Sequence, residues 1–142
     1  MKPRELSQDE CSILLSRVRF GRLGLSINNL PYVVPMSYVY HGNVIYLHSR
    51  GKGKKVEYAT ENSNVCFQID VLEKDHWSSV AVFGTVRLSD SVEDKQKMFD
   101  AFTEKGQGGH GGKKFQREEL EKMDMTIWEI NIKEMTGREG VW

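Results

Sequence analysis

The stretch 34–55, reading VPMSYVYHGNVIYLHSRGKGKK, constrains this chain more than any other. Its first half alternates apolar residues in the manner of a half-buried strand. His41-Gly42-Asn43 makes a turn, and a second strand over 44–48 returns from it. That strand runs straight into Arg50-Gly51-Lys52-Gly53-Lys54-Lys55, and a helical pattern over 54–60 opens on the loop. Close-approaching glycine backbone, clustered cations and a helix N-terminus are the parts of an anion cradle, above all for a phosphate. Clustered Lys and Gly also make ordinary solvated turns, so the loop alone leaves both readings open.

Pro35 sharpens the picture. Proline has no N–H to give a ladder, so the strand over 33–40 is expected to be locally unpaired there, at an edge or a bulge. A gap of that kind leaves backbone groups free to meet a ligand.

The other elements follow from local pattern. Ser7 to Glu10 has the spacing of a capping box, and Cys11, Leu14, Leu15 and Val18 share one helical face behind it. Leu23, Leu25 and Ile27 alternate as a strand ended by Asn28-Asn29. Further strands are expected over 65–71 and over 77–88, the latter bulged at Gly84. A helix capped from Asp90 carries Val92, Met98, Phe99 and Phe102. A charged, exposed helix covers 113–122. A last strand over 126–132 places Trp128, Ile130 and Ile132 on one face, where Trp128 reads as packing. These are six strands joined mostly by turns, with helices inserted instead of alternating. The expected fold is mainly β (α+β), an antiparallel barrel with peripheral helices.

Composition narrows the function classes. A chain of 142 residues suits a single domain over 1–142, and 20 basic against 20 acidic residues give a net charge of zero. Bulk nucleic-acid binding is therefore disfavoured, and the cations of the loop stand out as a local feature suited to a small anionic ligand. No apolar run approaches the roughly 20 residues of a membrane span. MKPRELSQDE lacks the apolar core of a signal peptide, so a cytoplasmic location is expected. Cys11 and Cys66 fit no metal-ligand spacing and read as buried free thiols of a reducing compartment.

Neither an H-x-H nor an H-x-x-x-H pair occurs among His41, His48, His76 and His110, so no metal site is expected. Ser78-Ser79 lack a nucleophile elbow. Gly106, Gly108 and Gly111 formally match G-x-G-x-x-G but follow a helix pattern, so 106–112 reads as a mobile loop, with a lid as the alternative. His48 shares a face with Val44 and Tyr46. It is either a histidine satisfied at a barrel rim or a functional group.

In order and spacing over nearly its whole length, the chain resembles the FMN-binding split-barrel superfamily of pyridoxamine 5'-phosphate oxidase, and more closely its nitroimidazole-resistance-like branch. The resemblance rests on Phe20-Gly21-Arg22-Leu23, on VPMSYVY followed by HGNVIYLHS, and on Gly53-Lys54-Lys55. It continues through Val65-Cys66-Phe67 and through Ser79 to Val86. It implies a six-stranded antiparallel split β-barrel, dimeric, with FMN at the interface of a homodimer. By position it implies that Pro35, Met36, Ser37 and Tyr38 lie along the isoalloxazine. His48, Ser49, Lys54 and Lys55 would face the phosphate side, and Ser78 and Ser79 would lie near the cofactor. Arg138 and Trp142 are placed to reach the partner's flavin.

The chain ends in TGREGVW and lacks the Arg- and Pro-containing block with which true pyridoxamine phosphate oxidases hold substrate, which argues against vitamin B6 oxidation. The expected function is an FMN-dependent oxidoreductase passing two electrons from a small-molecule donor to a small acceptor, with His48 as the catalytic acid-base candidate. A non-catalytic flavin module, a haem protein ligated through His110 and an F420-binding barrel are the alternatives.

Overall fold

The computed structural model describes residues 2–106 and 114–142, so the glycine-rich stretch beyond Gly106, with His110, lies outside the described residues. In chain order the elements are β1 (Arg4–Glu5), α1 (Gln8–Arg17), β2 (Phe20–Ile27), β3 (Leu30–Ser37), β4 (Val39–His41), β5 (Val44–Ser49) and α2 (Lys54–Glu61). There follow β6 (Asn64–Glu73), β7 (His76–Ser89), α3 (Val92–Glu104), α4 (Arg117–Lys122) and β8 (Thr126–Val141). Strand pairings are antiparallel in the order β3-β2-β6-β7-β8-β5-β4, with β1 added on β8.

Local chemistry explains most boundaries. The Ser7 hydroxyl accepts the Glu10 N–H and the Glu10 carboxylate accepts the Ser7 N–H, a complete capping box at the start of α1. Asn28 and Asn29 adopt φ of 49° and 65°, and Gly42 and Asn43 adopt 57° and 61°. Two consecutive left-handed residues match the twist of a tight hairpin, which is why these pairs close β2–β3 and β4–β5. In β7 the register shifts between Phe83 and Gly84, leaving Lys133 of β8 unopposed. The bulge falls at Gly84, as the pattern indicates.

Among the described residues there are eight strands, not six. One addition is β1, two exposed residues with no apolar pattern, held against Arg138 and Glu139. The other is a break at Tyr38, which divides the expected strand over 33–40 into β3 and β4. There the Tyr38 N–H turns to the Arg19 carbonyl at 3.1 Å and its hydroxyl donates to the Leu15 carbonyl at 2.5 Å. The last strand also runs on to Val141, because pairing with β7 carries it past the end of its apolar alternation. Among the described residues no ladder joins β3 to β4, so the sheet is a curled half-barrel and not a closed barrel. Pro35 lies on β3 at one end of that ladder, an edge position as its missing N–H requires.

Two helix details differ from expectation. The cap of α3 is Ser91, whose hydroxyl accepts the Asp94 N–H, and not Asp90. Helix α4 starts at Arg117, and its Leu120 is buried.

The inner face of the sheet holds the main core. Leu23, Tyr38, Ile45, Leu47, Phe67, Ile69, Val80, Val82, Trp128 and Ile130 are all fully enclosed, capped by Cys11 and Leu15 of α1. Side chains of this size each stabilise the fold by about 1.5–3 kcal/mol through burial. A second cluster forms on the opposite face, where Val39, Tyr46 and Ile127 meet Met98, Phe99 and Ala101 of α3 and Leu120 of α4. No helix among the described residues is long and apolar enough to cross a membrane.

Candidate functional site

The basic loop leaves the end of β5 at Ser49. Because side chains alternate along a strand, His48 and Ser49 point to opposite faces of β5. The Ser49 hydroxyl faces the core end, accepting from the Trp128 indole at 2.8 Å and donating to the Arg50 carbonyl at 2.9 Å. The exposed His48 ring stands on the other face, 6.2 Å from the Phe102 ring of α3.

Beyond Ser49, the Gly51 N–H donates to the Asp124 carboxylate at 3.2 Å. Gly53 then opens α2 at φ 136° without a capping side chain, a backbone angle that favours glycine. Lys54 in the first turn lays its ammonium 4.9 Å from the centre of the Tyr32 ring and 5.9 Å from that of Tyr58. This stacking ties the loop to β3, which carries Tyr32. Lys55 beside it is half-buried. Among the described residues, none of Arg50, Lys52, Lys54 and Lys55 has a carboxylate partner within 4 Å. Four cations of a chain whose net charge is zero therefore meet around one loop without a carboxylate ion-pair partner among the described residues.

Strand β3 presents Pro35 and Ser37 outward and Met36 into the core, and Tyr38 at the break after it is also buried. Pro35 pairs with Arg22, Met36 with Gly21 and Ser37 with Phe20. A side chain at Gly21 would start 2.5 Å from the Phe67 ring, so the bare backbone here lets β2 lie tightly on the core below Met36.

The neighbours Ser78 and Ser79 likewise part company. Ser78 is buried beside α1, in an open cleft of about 560 Å³ that also includes Arg17, His76 and Glu139. Ser79 faces outward, where its hydroxyl accepts from the Gln68 amide at 3.0 Å. The same amide donates to Asp70 at 3.1 Å, and Asp70 pairs with Arg22 at 3.3 Å. A polar strip thus crosses the outer face from Ser79 to the strand beside Pro35. At its far end a cleft of about 520 Å³ brings Ser79 together with Trp77 and Arg138.

The expected site residues therefore do not form one group. Ser49, Lys54 and Lys55 adjoin the basic loop, which meets β3 at Tyr32 and so lies about 10 Å or more along the strand from Pro35–Ser37, whereas Ser79 lies three strands from β3, about 14 Å at normal strand spacing. His48 and Ser78 sit on the faces opposite their neighbours. Arg22, Gln68 and Asp70 escaped sequence reasoning, as did Asp124. Each of the first three alternates with a buried neighbour, which marks an outward position, but only the strand order β2-β6-β7 brings them together.

Burial raises the pKa of both the Cys11 and Cys66 thiols, which keeps them protonated. Neither is disulfide-bonded; Cys11 is fully buried and Cys66 partly so.

Comparison with known proteins places the chain. The family described as pyridoxamine 5'-phosphate oxidase matches residues 7–139. An uncharacterized protein of Rhizobium meliloti is 32% identical over 82 residues, 57% of this chain, and the match spans 54% of that relative's length. The crystal structure of a FAD-binding protein from Mesorhizobium loti superposes with a TM-score of 0.79 at 29% identity, covering 99% of both chains. A candidate 5-nitroimidazole antibiotic resistance protein from Bacteroides thetaiotaomicron shares the fold, with a TM-score of 0.78 at 20% identity over 98% of this chain and 89% of its own. The chain belongs to the pyridoxamine 5'-phosphate oxidase family, within the FMN-binding split-barrel superfamily that includes a nitroimidazole-resistance-like branch.

Proposed function

We propose that the protein binds FMN, with the phosphate on the basic loop and the ring system along β3, and that it works as an FMN-dependent oxidoreductase. The observation that carries this reading is the un-neutralised cluster of Arg50, Lys52, Lys54 and Lys55 at the uncapped start of α2, joined to β3 through Lys54 and Tyr32. The donor set fits a phosphomonoester: backbone N–H groups, ammonium side chains and a guanidinium, all suited to anionic oxygen. The outward Pro35 and Ser37 and the backbone at Met36 and Tyr38 supply the flat edge for the ring.

When bound, FMN supplies two-electron chemistry between a small-molecule donor, such as a nicotinamide, and a small acceptor. The chain's own work is to hold the phosphate through Lys54 and Lys55, orient the ring on β3 and move a proton at His48. Substitution of His48 by alanine should slow turnover several-fold with FMN still bound. Unchanged turnover would remove His48 from the mechanism.

The working form in this reading is a homodimer, as a cytoplasmic protein with a single flavin domain over 1–142 per chain. One protomer keeps Ser79 about 14 Å and Arg138 about 19 Å from its own β3, so a second copy is what brings them over the flavin. Phe20, Val33 and Phe83, at 66%, 63% and 42% exposure, flank the polar strip and supply the apolar part of that contact. Sedimentation of the loaded protein as a single 16.3 kDa species would contradict it.

A second reading keeps the site and changes the cofactor to FAD. It is favoured by the Mesorhizobium loti likeness and by an open cleft of about 540 Å³ beside the loop. This cleft is lined by Gly51, Lys52, Gly53, Val56, Glu57 and Thr60 among others, with space for a nucleotide half beyond the first phosphate. Mass identification of the released chromophore separates the two.

A further inference from the structure

The basic loop already touches an anionic oxygen, and it belongs to the chain itself. In the β5–β8 ladder, Ser49 pairs with Thr126. Continued by two residues, that register sets Gly51 opposite Asp124. The Asp124 carboxylate accepts the Gly51 N–H at 3.2 Å, and it is the one polar partner recorded for that carboxylate among the described residues. A Cβ on Gly51 would stand 2.7 Å from the Asp124 oxygen, so a side chain there would push the carboxylate aside.

Asp124 is also held in place from behind. It lies one residue beyond Met123, the cap of α4, and the buried Lys95 of α3 clamps that end by donating to the Leu120 carbonyl at 2.9 Å and the Met123 carbonyl at 3.0 Å. The backbone leading into Asp124 is thus anchored, while its carboxylate reaches the loop from an exposed position. It forms no ion pair within 4 Å with Arg50, Lys52, Lys54 or Lys55, so it takes a backbone donor without neutralising the cations.

We infer that Asp124 is an internal competitor for the phosphate-binding loop, a carboxylate that occupies the Gly51 N–H and is displaced when the phosphate of a ligand enters. This inference rests on the phosphate reading of the loop given above. Two physical effects act in the same direction. A single N–H donates fully to one acceptor at a time, and a carboxylate that stays near the loop after its displacement opposes the binding of a phosphate dianion. The residue therefore sets how tightly the phosphoester is held and keeps the cofactor exchangeable. It leaves the ring contacts on β3 untouched.

The test compares wild type, Asp124→Asn and Asp124→Ala by titration with FMN and with riboflavin, which has the same ring and no phosphate. Asp124→Asn keeps the shape and removes the charge, and Asp124→Ala removes the acceptor as well. The expected result is FMN binding tightened about five-fold or more in both variants, as loss of a nearby like charge implies, with riboflavin binding unchanged. Inorganic phosphate should likewise compete with FMN at lower concentration in the variants. FMN affinity that stays the same or weakens in Asp124→Asn, with wild-type melting temperature and wild-type FMN binding intact, overturns the inference and leaves the cofactor reading standing. A wild-type protein that binds neither FMN nor FAD overturns both.

Discussion

The ammonium of Lys54 lies 4.9 Å from the centre of the Tyr32 ring, joining the first turn of α2 to the edge strand β3. This contact ties the basic loop to β3 at Tyr32. A cation over an aromatic face contributes about 0.5–1 kcal/mol at an exposed site, enough to bias the position of Lys54 without neutralising it.

The double substitution of Lys54 and Lys55 by alanine follows from that arrangement. It should weaken FMN binding by about 10–100-fold, the loss of one or two charge-assisted hydrogen bonds. Riboflavin, lacking the phosphate, should bind within about two-fold of wild type by the same reasoning. Fluorescence-quenching titrations of both ligands read the difference, and equal losses for the two would move the phosphate elsewhere.

Gly84 answers to backbone packing. A Cβ there would stand 2.0 Å from the Asn131 carbonyl oxygen, so alanine forces β7 and β8 apart at the bulge. Gly84→Ala should cost about 3 kcal/mol or more, measured by denaturant unfolding. Gly42→Ala, in an open hairpin turn at φ 57°, should cost only about 1 kcal/mol of backbone strain.

Lys95 is a stability determinant on a helix face otherwise apolar. It is 3% exposed, and its ammonium caps the end of α4 through two carbonyls. Lys95→Met keeps the volume but takes the ammonium donor from both carbonyls, the Leu120 carbonyl retaining only the Met123 N–H at 3.2 Å, at about 2–3 kcal/mol. A calorimetric melting temperature lower by about 5–10 °C is expected for a chain of this size.

Acid sensitivity should pass through Asp94. The Arg87 guanidinium, bonded to it at 2.9 Å, holds its carboxyl well below the usual carboxylate range, with further hydrogen bonds from Ser89 and Ser91. A carboxyl depressed in the folded state contributes stability above its unfolded pKa and loses it as pH falls through the folded value. Asp94→Asn should therefore melt lower than wild type at pH 7. The gap should narrow as pH drops below about 4, where the unfolded carboxylate takes up its proton. A gap independent of pH would assign the role of Asp94 to packing.

Much of this was legible in the sequence, and where it was not the reason is physical. Period-two alternation located β2, β5, β6 and β7, and glycine and asparagine marked the hairpins, because strand faces and left-handed turns are local properties. Tyr38 was not legible as a strand break, since its N–H and hydroxyl are taken up by Arg19 and Leu15, contacts that exist only after α1 packs on the barrel. β1 exists because Arg138 and Glu139 are there to pair with it. At the site, the Lys/Gly loop announced itself by composition. The Ser79–Gln68–Asp70–Arg22 strip and the Asp124–Gly51 contact depend on strand order and register, which residue patterns do not carry. Neighbouring sequence positions also misled: His48 with Ser49, and Ser78 with Ser79, read as pairs yet face opposite ways on their strands.

The most direct measurement is the absorption spectrum of the purified protein, followed by mass identification of the chromophore released on denaturation and by titration with added FMN. A flavin spectrum with FMN released, or tight uptake of added FMN that is lost in the Lys54 and Lys55 double variant, is the predicted result. A colourless protein that takes up neither FMN nor FAD would contradict the assignment of the loop to a flavin phosphate.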